Sequence, residues 1–266
     1  MIVAGMALGG IRVQRHHPFT LALIARMSVP PPAALVPAID GLVRSLVGDG
    51  VWAELDMLKI QAVHDEQAAR LNWISPDYTS TAVNSPTFTA YRGFNGNGTT
   101  SYINTGFNPG AAIGAKFIRD SAFLGLWSLT NSSNVVNDMG NWNGGWGASI
   151  QARRSEGVFT VSANSTVLAT DPSGTSLGFF SWSRTNSNTV DKYFNDNLVR
   201  TQTSSSSILH NMPIYLGALN FNNSPTSFGA RQYACVCSGG AVTQPVQAAL
   251  YAALHTYLSH PAVGAV

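Results

Sequence analysis

The stretch TVDKYFNDNLVRTQT, residues 189–203, decides how the rest of the chain is read. Residues 189–194 predict one strand and residues 198–203 another. Between them stand Asn195, Asp196 and Asn197, residue types that tolerate the positive φ of a tight hairpin turn. The same pattern repeats on both sides of the hairpin. Residues 178–184 and 121–128 read as strands, the second with Ala122, Leu124 and Leu126 alternating against Phe123 and Trp127. Further strands are expected over 79–83, 87–91, 101–105, 135–139, 147–152, 157–163, 214–219 and 231–237, with a Gly/Asn turn over 93–98. Many short strands separated by turn residues predict a sandwich or jelly roll.

The chain changes style at residue 72. All twenty asparagines lie between Asn72 and Asn223, and a single glutamate, Glu156, occurs beyond that point. Before it, apolar residues follow helical spacing. Leu35, Ile39, Leu42 and Leu46 form one stripe after Pro30-Pro31-Pro32, and Gly48 and Gly50 end it. A second short helix is expected over 65–71, with Asp65 and Glu66 in its first turn. A last helix follows Thr243, with Val246, Leu250, Leu254 and Leu258 at steps of four. The division is therefore an N-terminal arm and helical docking segment, 1–71, and a sandwich with its C-terminal helix, 72–266. The opening MIVAGMALGGI has no basic n-region before its apolar run, which breaks at Arg12 and Arg15 and is too short for a membrane span. It reads as a buried strand or an arm that packs on a partner.

Charged residues make up 11% of the chain, against about 25% in an ordinary soluble domain. The basic residues are dispersed, so no stripe exists to neutralise a run of phosphates, and nucleic acid is not an expected partner. Cys235 and Cys237 lie two apart on one strand face, too close for ordinary disulfide geometry, and read as small core residues.

Several stretches resemble a recurrent structural protein of tailed bacteriophages. GVWAELDMLKIQAVHDEQAARLNW (50–73) is similar to its opening helices, and TAVNSPTFTAYRGFNGNGTTSYINTGFNP (81–109) to the first strands of its concanavalin A-like, laminin-G-type sandwich. YFNDNLVR (193–200) resembles the hairpin common in that superfamily, with Asp196-Asn197 where Asn-Gly is usual. IYLGALN (214–220) and RQYACVCSGGAVTQPVQAALYAALHTYL (231–258) resemble its last strands and closing helix. The resemblance covers about 35–258. It implies a mainly-β, concanavalin-like jelly roll preceded by short helices and closed by a C-terminal helix. It also implies a virion component assembled in the host cytoplasm, on the tail, fibre or capsid surface. Partners would be other virion proteins and copies of the chain itself, a trimer being the first expectation. A stand-alone carbohydrate-binding module is the alternative.

The superfamily includes retaining glucanases, which need two carboxylates about 5–5.5 Å apart. Glu156 has no acidic neighbour in sequence nearer than Asp138 and Asp171, so no catalytic residue is assigned and no enzyme is expected. Six scattered histidines and no G-x-S-x-G elbow give no hydrolase triad. No metal ligand set is assigned and no cofactor is expected, although laminin-G-type domains often hold calcium, for which Asp138 and Asp171 are the candidates. The segment 137–146, NDMGNWNGGW, carries the one binding hypothesis. Trp142 and Trp146 offer faces to sugar rings, and Asn141 and Asn143 offer amides to hydroxyls. The competing reading is a hairpin whose tryptophans anchor the core or a subunit contact.

Overall fold

The computed structural model describes residues 16–134 and 136–266, so the first fifteen residues of the expected arm lie outside the described residues. Two β-sheets face each other. The first runs β13 (Asn197–Thr203), β12 (Thr189–Phe194), β11 (Gly178–Arg184), β6 (Ala122–Ser128), β17 (Gln232–Gly239), β4 (Gly93–Asn95) and β3 (Thr87–Thr89), with β1 (Leu55–Ile60) also pairing β17. The second runs β10 (Ala169–Pro172), β9 (Val158–Ser165), β8 (Gly147–Gln151), β7 (Met139–Trp142), β14 (Tyr215–Leu216), β5 (Tyr102–Asn104) and β2 (Thr81–Val83). To it β15 (Leu219–Phe221) attaches parallel to β7, and β16 (Ser224–Thr226) follows on β15. Among the described residues all other pairings are antiparallel, which makes the fold the expected mainly-β sandwich of two sheets.

The opening hairpin forms as read: Asn195 holds φ +55°, and strands β12 and β13 leave it paired antiparallel, with a bulge between the Tyr193–Leu198 and Lys192–Arg200 pairs. Strand alternation then sorts the side chains of the first sheet. Leu124, Leu126, Phe180 and Trp182 point between the sheets, where Phe159 of β9 meets Phe180 edge-on at 5.0 Å. Gly125, Trp127, Phe179 and Cys237 share the opposite face. That face is covered by helix α5 (Gln244–Leu258), whose Tyr251 stacks on Trp127 at 5.4 Å. Helix α2 (Val36–Gly48) packs against α5 and buries Leu35, Ile39, Leu42 and Leu46, the stripe seen in the sequence. Three short helices complete the set, α1 (Pro18–Ile24), α3 (Val51–Glu54) and α4 (Glu66–Arg70), of which α1 was not expected. Cys235 and Cys237 are buried free thiols.

Two expectations are corrected. Residues 55–60 lie in the segment read as helical docking material, yet they form β1, buried at all six positions and hydrogen-bonded to β17. A division at residue 72 thus cuts this strand from the sheet it completes, and one apolar core runs from Leu23 to Ala265. The strand expected over 135–139 lies further on, at Met139–Trp142.

Four cationic side chains, Lys59, Arg184, Lys192 and Arg231, are buried among the described residues. Arg231 and Asp138, both fully buried, pair at 2.6 Å. Asp138 also accepts from the Tyr233 hydroxyl at 2.7 Å and the Ala152 N–H at 2.7 Å. Removing one partner of such a pair leaves an uncompensated buried charge. Asp138→Ala is therefore expected to cost about 3–5 kcal/mol, read as a drop in urea-unfolding stability; an unchanged midpoint would show that water reaches Arg231.

Lys59 is buried without a carboxylate and donates to the carbonyls of Tyr78 and Arg70. Burial, with the nearby Arg26 guanidinium adding to it, pulls its ammonium from 10.5 down to about 7. Between those two pH values the unfolded chain binds a proton that the folded chain does not. Stability from this group therefore rises with pH from about 7 towards 10 and is lowest at or below 7. Lys192 contributes in the same direction, since burial lowers it to about 8. Urea titrations at pH 7 and pH 9 should show that rise in the parent chain and a smaller one in Lys59→Met.

Candidate functional site

The free face of the second sheet carries the site. Trp142 on β7 pairs with Gly147 on β8, and Ser149 and Gln151 continue along β8 with the same outward parity. On the other side of Trp142, the parallel pairing places Phe221 of β15 directly beside it. Leu219 shares the Phe221 face, and Thr226 of β16 lies opposite Leu219. Asn137 and Ser227 close one rim through the Asn137 N–H, which donates to the Ser227 carbonyl at 3.2 Å. Leu168, from the link between β9 and β10, closes another. These nine residues bound an open groove of about 260 Å³. Two aromatic rings and two leucines form its apolar wall, while two amides and three hydroxyls supply the polar groups.

Local sequence explains the placement. A Cβ on Gly147 would collide with the Asn141 carbonyl and come within 2.9 Å of the Trp142 ring, so glycine lets the indole lie over β8. Gly144, at φ +97°, supplies the left-handed backbone of the 143–146 turn, beside the Phe221 ring.

Of the four residues picked from the sequence, Trp142 lines the groove and the other three do not. Asn141 has inward parity and is 1% exposed. Its amide donates to the Met212 carbonyl at 2.9 Å and accepts from the Ala148 N–H at 3.3 Å. Asn143 builds the turn, its Oδ1 accepting from the N–H groups of Gly145 and Trp146 at 2.9 and 3.0 Å. Trp146 is turned away and clamped: its Nε1–H donates to the Ile208 carbonyl at 3.0 Å and its ring stacks on His210 at 5.0 Å. His210 Nε2 lies 3.0 Å from the Trp146 carbonyl, so this nitrogen carries the proton. Burial lowers the His210 pKa, and that hydrogen bond opposes the shift. Phe221, Leu219, Thr226, Gln151 and Leu168 were missed, because strand pairing alone brings them to Trp142.

The two calcium candidates, Asp138 and Asp171, are both engaged by other side chains. Asp138 is spent on Arg231, Tyr233 and Ala152. Asp171 pairs with Lys192 at 3.0 Å and Arg200 at 2.6 Å. Among the described residues no three His, Cys, Asp or Glu side chains converge to hold a metal ion. Glu156 is exposed, pairs with Arg154 at 3.3 Å and stands outside the groove. A larger hollow of about 410 Å³ lies by α5, next to Trp127, Tyr251, Arg92 and His255. Its main aromatic faces are already stacked on each other, which leaves little platform for a ligand.

No family model and no curated protein matches the sequence. Among solved structures, the receptor-binding domain of botulinum neurotoxin D is similar at TM-score 0.49 and 11% identity, over 76% of this chain and 53% of that one. Domain 4 of the extracellular arabinanase AbnA from Geobacillus stearothermophilus, in complex with arabinotriose, is similar at TM-score 0.42 and 13% identity, over 73% and 99%. A Trypanosoma rangeli sialidase mutant displaying trans-sialidase activity is similar at TM-score 0.49 and 8% identity, over 84% and 39%. The chain spans about half or less of the toxin and sialidase chains. At such TM-scores the likeness assigns no function, and the groove must speak for itself.

The committed hydrogen bonds predict how the segment 137–146 responds to mutation. Asn141→Ala strands a buried carbonyl and a buried N–H and should cost about 1–3 kcal/mol. Trp142→Ala, on the open face, should cost less. Thermal melts of the two variants check the order, and the reverse order would place Trp142 in the core.

Proposed function

We propose that the chain is a non-catalytic, glycan-binding structural protein of a tailed-phage particle, of tail, fibre or surface-decorating type. One observation carries the glycan-binding part: Trp142 and Phe221 lie side by side on an open sheet face, ringed by Asn137, Ser149, Gln151, Thr226 and Ser227. Aromatic faces cover the C–H side of a sugar ring, and amides and hydroxyls bond its hydroxyls; such a mix of apolar wall and few polar groups is what small-ligand sites use. The rigid strand pairing means that little ordering is needed on binding.

The non-catalytic part is supported by the lining, which contains no Asp, Glu or His to serve as acid, base or nucleophile. The virion part is supported by the sequence resemblance of residues 35–258. With it go association with other virion proteins and a homo-oligomer, a trimer first.

Glycan-array binding of the full chain tests the reading. Truncation of a central aromatic anchor typically costs about 2 kcal/mol or more, so Trp142→Ala and Phe221→Ala should each lose about tenfold or more in affinity while keeping the parent circular dichroism. Trp146→Ala should bind as the parent does, provided it folds. Binding indifferent to Trp142 and Phe221 would remove the groove from the function. Antibody labelling of imaged particles tests the virion part, and absence from the particle would overturn it.

A further inference from the structure

We infer that the groove selects neutral saccharides, binding an uncharged sugar ring and rejecting one that carries its own carboxylate or sulfate. This rests on the glycan-binding reading above and adds the substrate class.

Among the described residues, the nine that line the groove are Asn, Trp, Ser, Gln, Leu, Phe and Thr, with no Lys, Arg or His. Recognition of a carboxylate or sulfate calls for a guanidinium or ammonium, because charge-assisted hydrogen bonds offset the loss of water around the anion. Arg153 and Arg154, which follow Gln151 in sequence, stand outside the lining: Arg153 donates to the Asn131 Oδ1 at 3.4 Å and Arg154 pairs with Glu156 at 3.3 Å. Arg231 is buried and directed to Asp138, Ser132 and Arg153, and Lys192 is buried against Asp171. Arg200 is paired with Asp171. An anionic ring laid on Trp142 and Phe221 would give up hydration on an apolar wall and meet only neutral dipoles. A neutral ring keeps its accounts balanced there, since Gln151 and Asn137 offer both donors and acceptors and the three hydroxyls offer either.

The volume agrees with a short ligand. About 260 Å³ falls just under the ~300–1,000 Å³ of enclosed small-molecule pockets. The groove thus grips a ring or a short stretch of chain, and the remainder passes over the open sheet. With no ion pair in the contact, affinity should barely respond to ionic strength, because only exposed charge interactions are screened.

The experiment uses the full chain on an array of hexoses, hexosamines and short neutral oligosaccharides, each matched with its uronic acid or sulfated counterpart. Calorimetry follows at low and high sodium chloride. Neutral members should bind, acidic counterparts should bind about tenfold or more weakly, and added salt should shift neutral affinity by less than about twofold. Gln151→Arg supplies the missing cation and should narrow the neutral-to-acidic ratio; Thr226→Lys does the same from the opposite wall if the first variant fails to fold. Acidic sugars that bind as well as neutral ones, with binding lost in Trp142→Ala, would overturn the neutral selectivity and leave the groove as the binding site. No binding to any saccharide, or binding that survives Trp142→Ala, would overturn both.

Discussion

The buried pair of Arg231 and Asp138 ties the two sheets together. Arg231 stands just before β17 in the first sheet and Asp138 just before β7 in the second. The guanidinium spends its remaining donors on Ser132 and on the Ser132 and Arg153 carbonyls, at 3.1, 2.8 and 2.6 Å. The carboxylate is likewise saturated. Burying both ions costs several kcal/mol each in desolvation, so the pair is a poor source of net stability. What it supplies is placement: any slide of β7 against β17 would strand charge in a dry interior. Trp142 sits four residues beyond Asp138, so the position of the groove depends on this contact.

The same economy explains the low charge of the sequence. Asp171 is divided between Lys192 and Arg200, Asp40 is held by Arg44 at 2.6 Å, and Asp56 caps the backbone N–H groups of Lys116 and Phe117 at 2.9 and 2.8 Å. Asp138 and Asp171, which look like candidate metal ligands in a linear reading, are already matched with cations distant in sequence. Sequence distance hides this: Lys116 is 60 positions from Asp56, and Arg231 is 93 from Asp138. The lone glutamate beyond residue 72 is correspondingly a surface residue paired with its neighbour Arg154.

The hairpin at 189–203 and strands β6 and β11 were legible because turn chemistry and alternation are local. Helices α2 and α5 were legible for the same reason, through one apolar stripe each. Strand β1 was not. LDMLKI is buried on both faces, so it lacks alternation, and a short apolar run between two helices carries no period that separates strand from helix. Strand β7 was misplaced because Gly140 and Asn141 are poor strand formers; the Asn141 amide replaces what propensity lacks by bonding two buried backbone groups. Strands β15 and β16 hide around Asn222 and Asn223, both at positive φ, and Pro225. Trp142 could be picked out as an aromatic among amides. Its neighbours Phe221 and Thr226 could not, since a parallel pairing across some eighty residues brings them together.

The two faces of the sandwich are not equivalent, and this asymmetry gives the groove its meaning. The outer face of the first sheet presents Phe123, Trp127, Phe179 and Cys237, too apolar to meet water, and α5 covers it with α2 packed behind. The outer face of the second sheet carries Ser149, Gln151, Thr160 and Ser162 instead, a polar set of which Gln151 is half-buried and the three hydroxyl residues are buried. On such a polar face, a half-buried Trp beside a Phe that is 38% exposed contributes nothing to the core. A monomeric domain gains little by keeping two aromatic rings and two leucines on its wet side. A surface that must hold a ring with one apolar face and a rim of hydroxyls gains from that arrangement, and the rigid pairing of β7, β8 and β15 holds it ready before any ligand arrives.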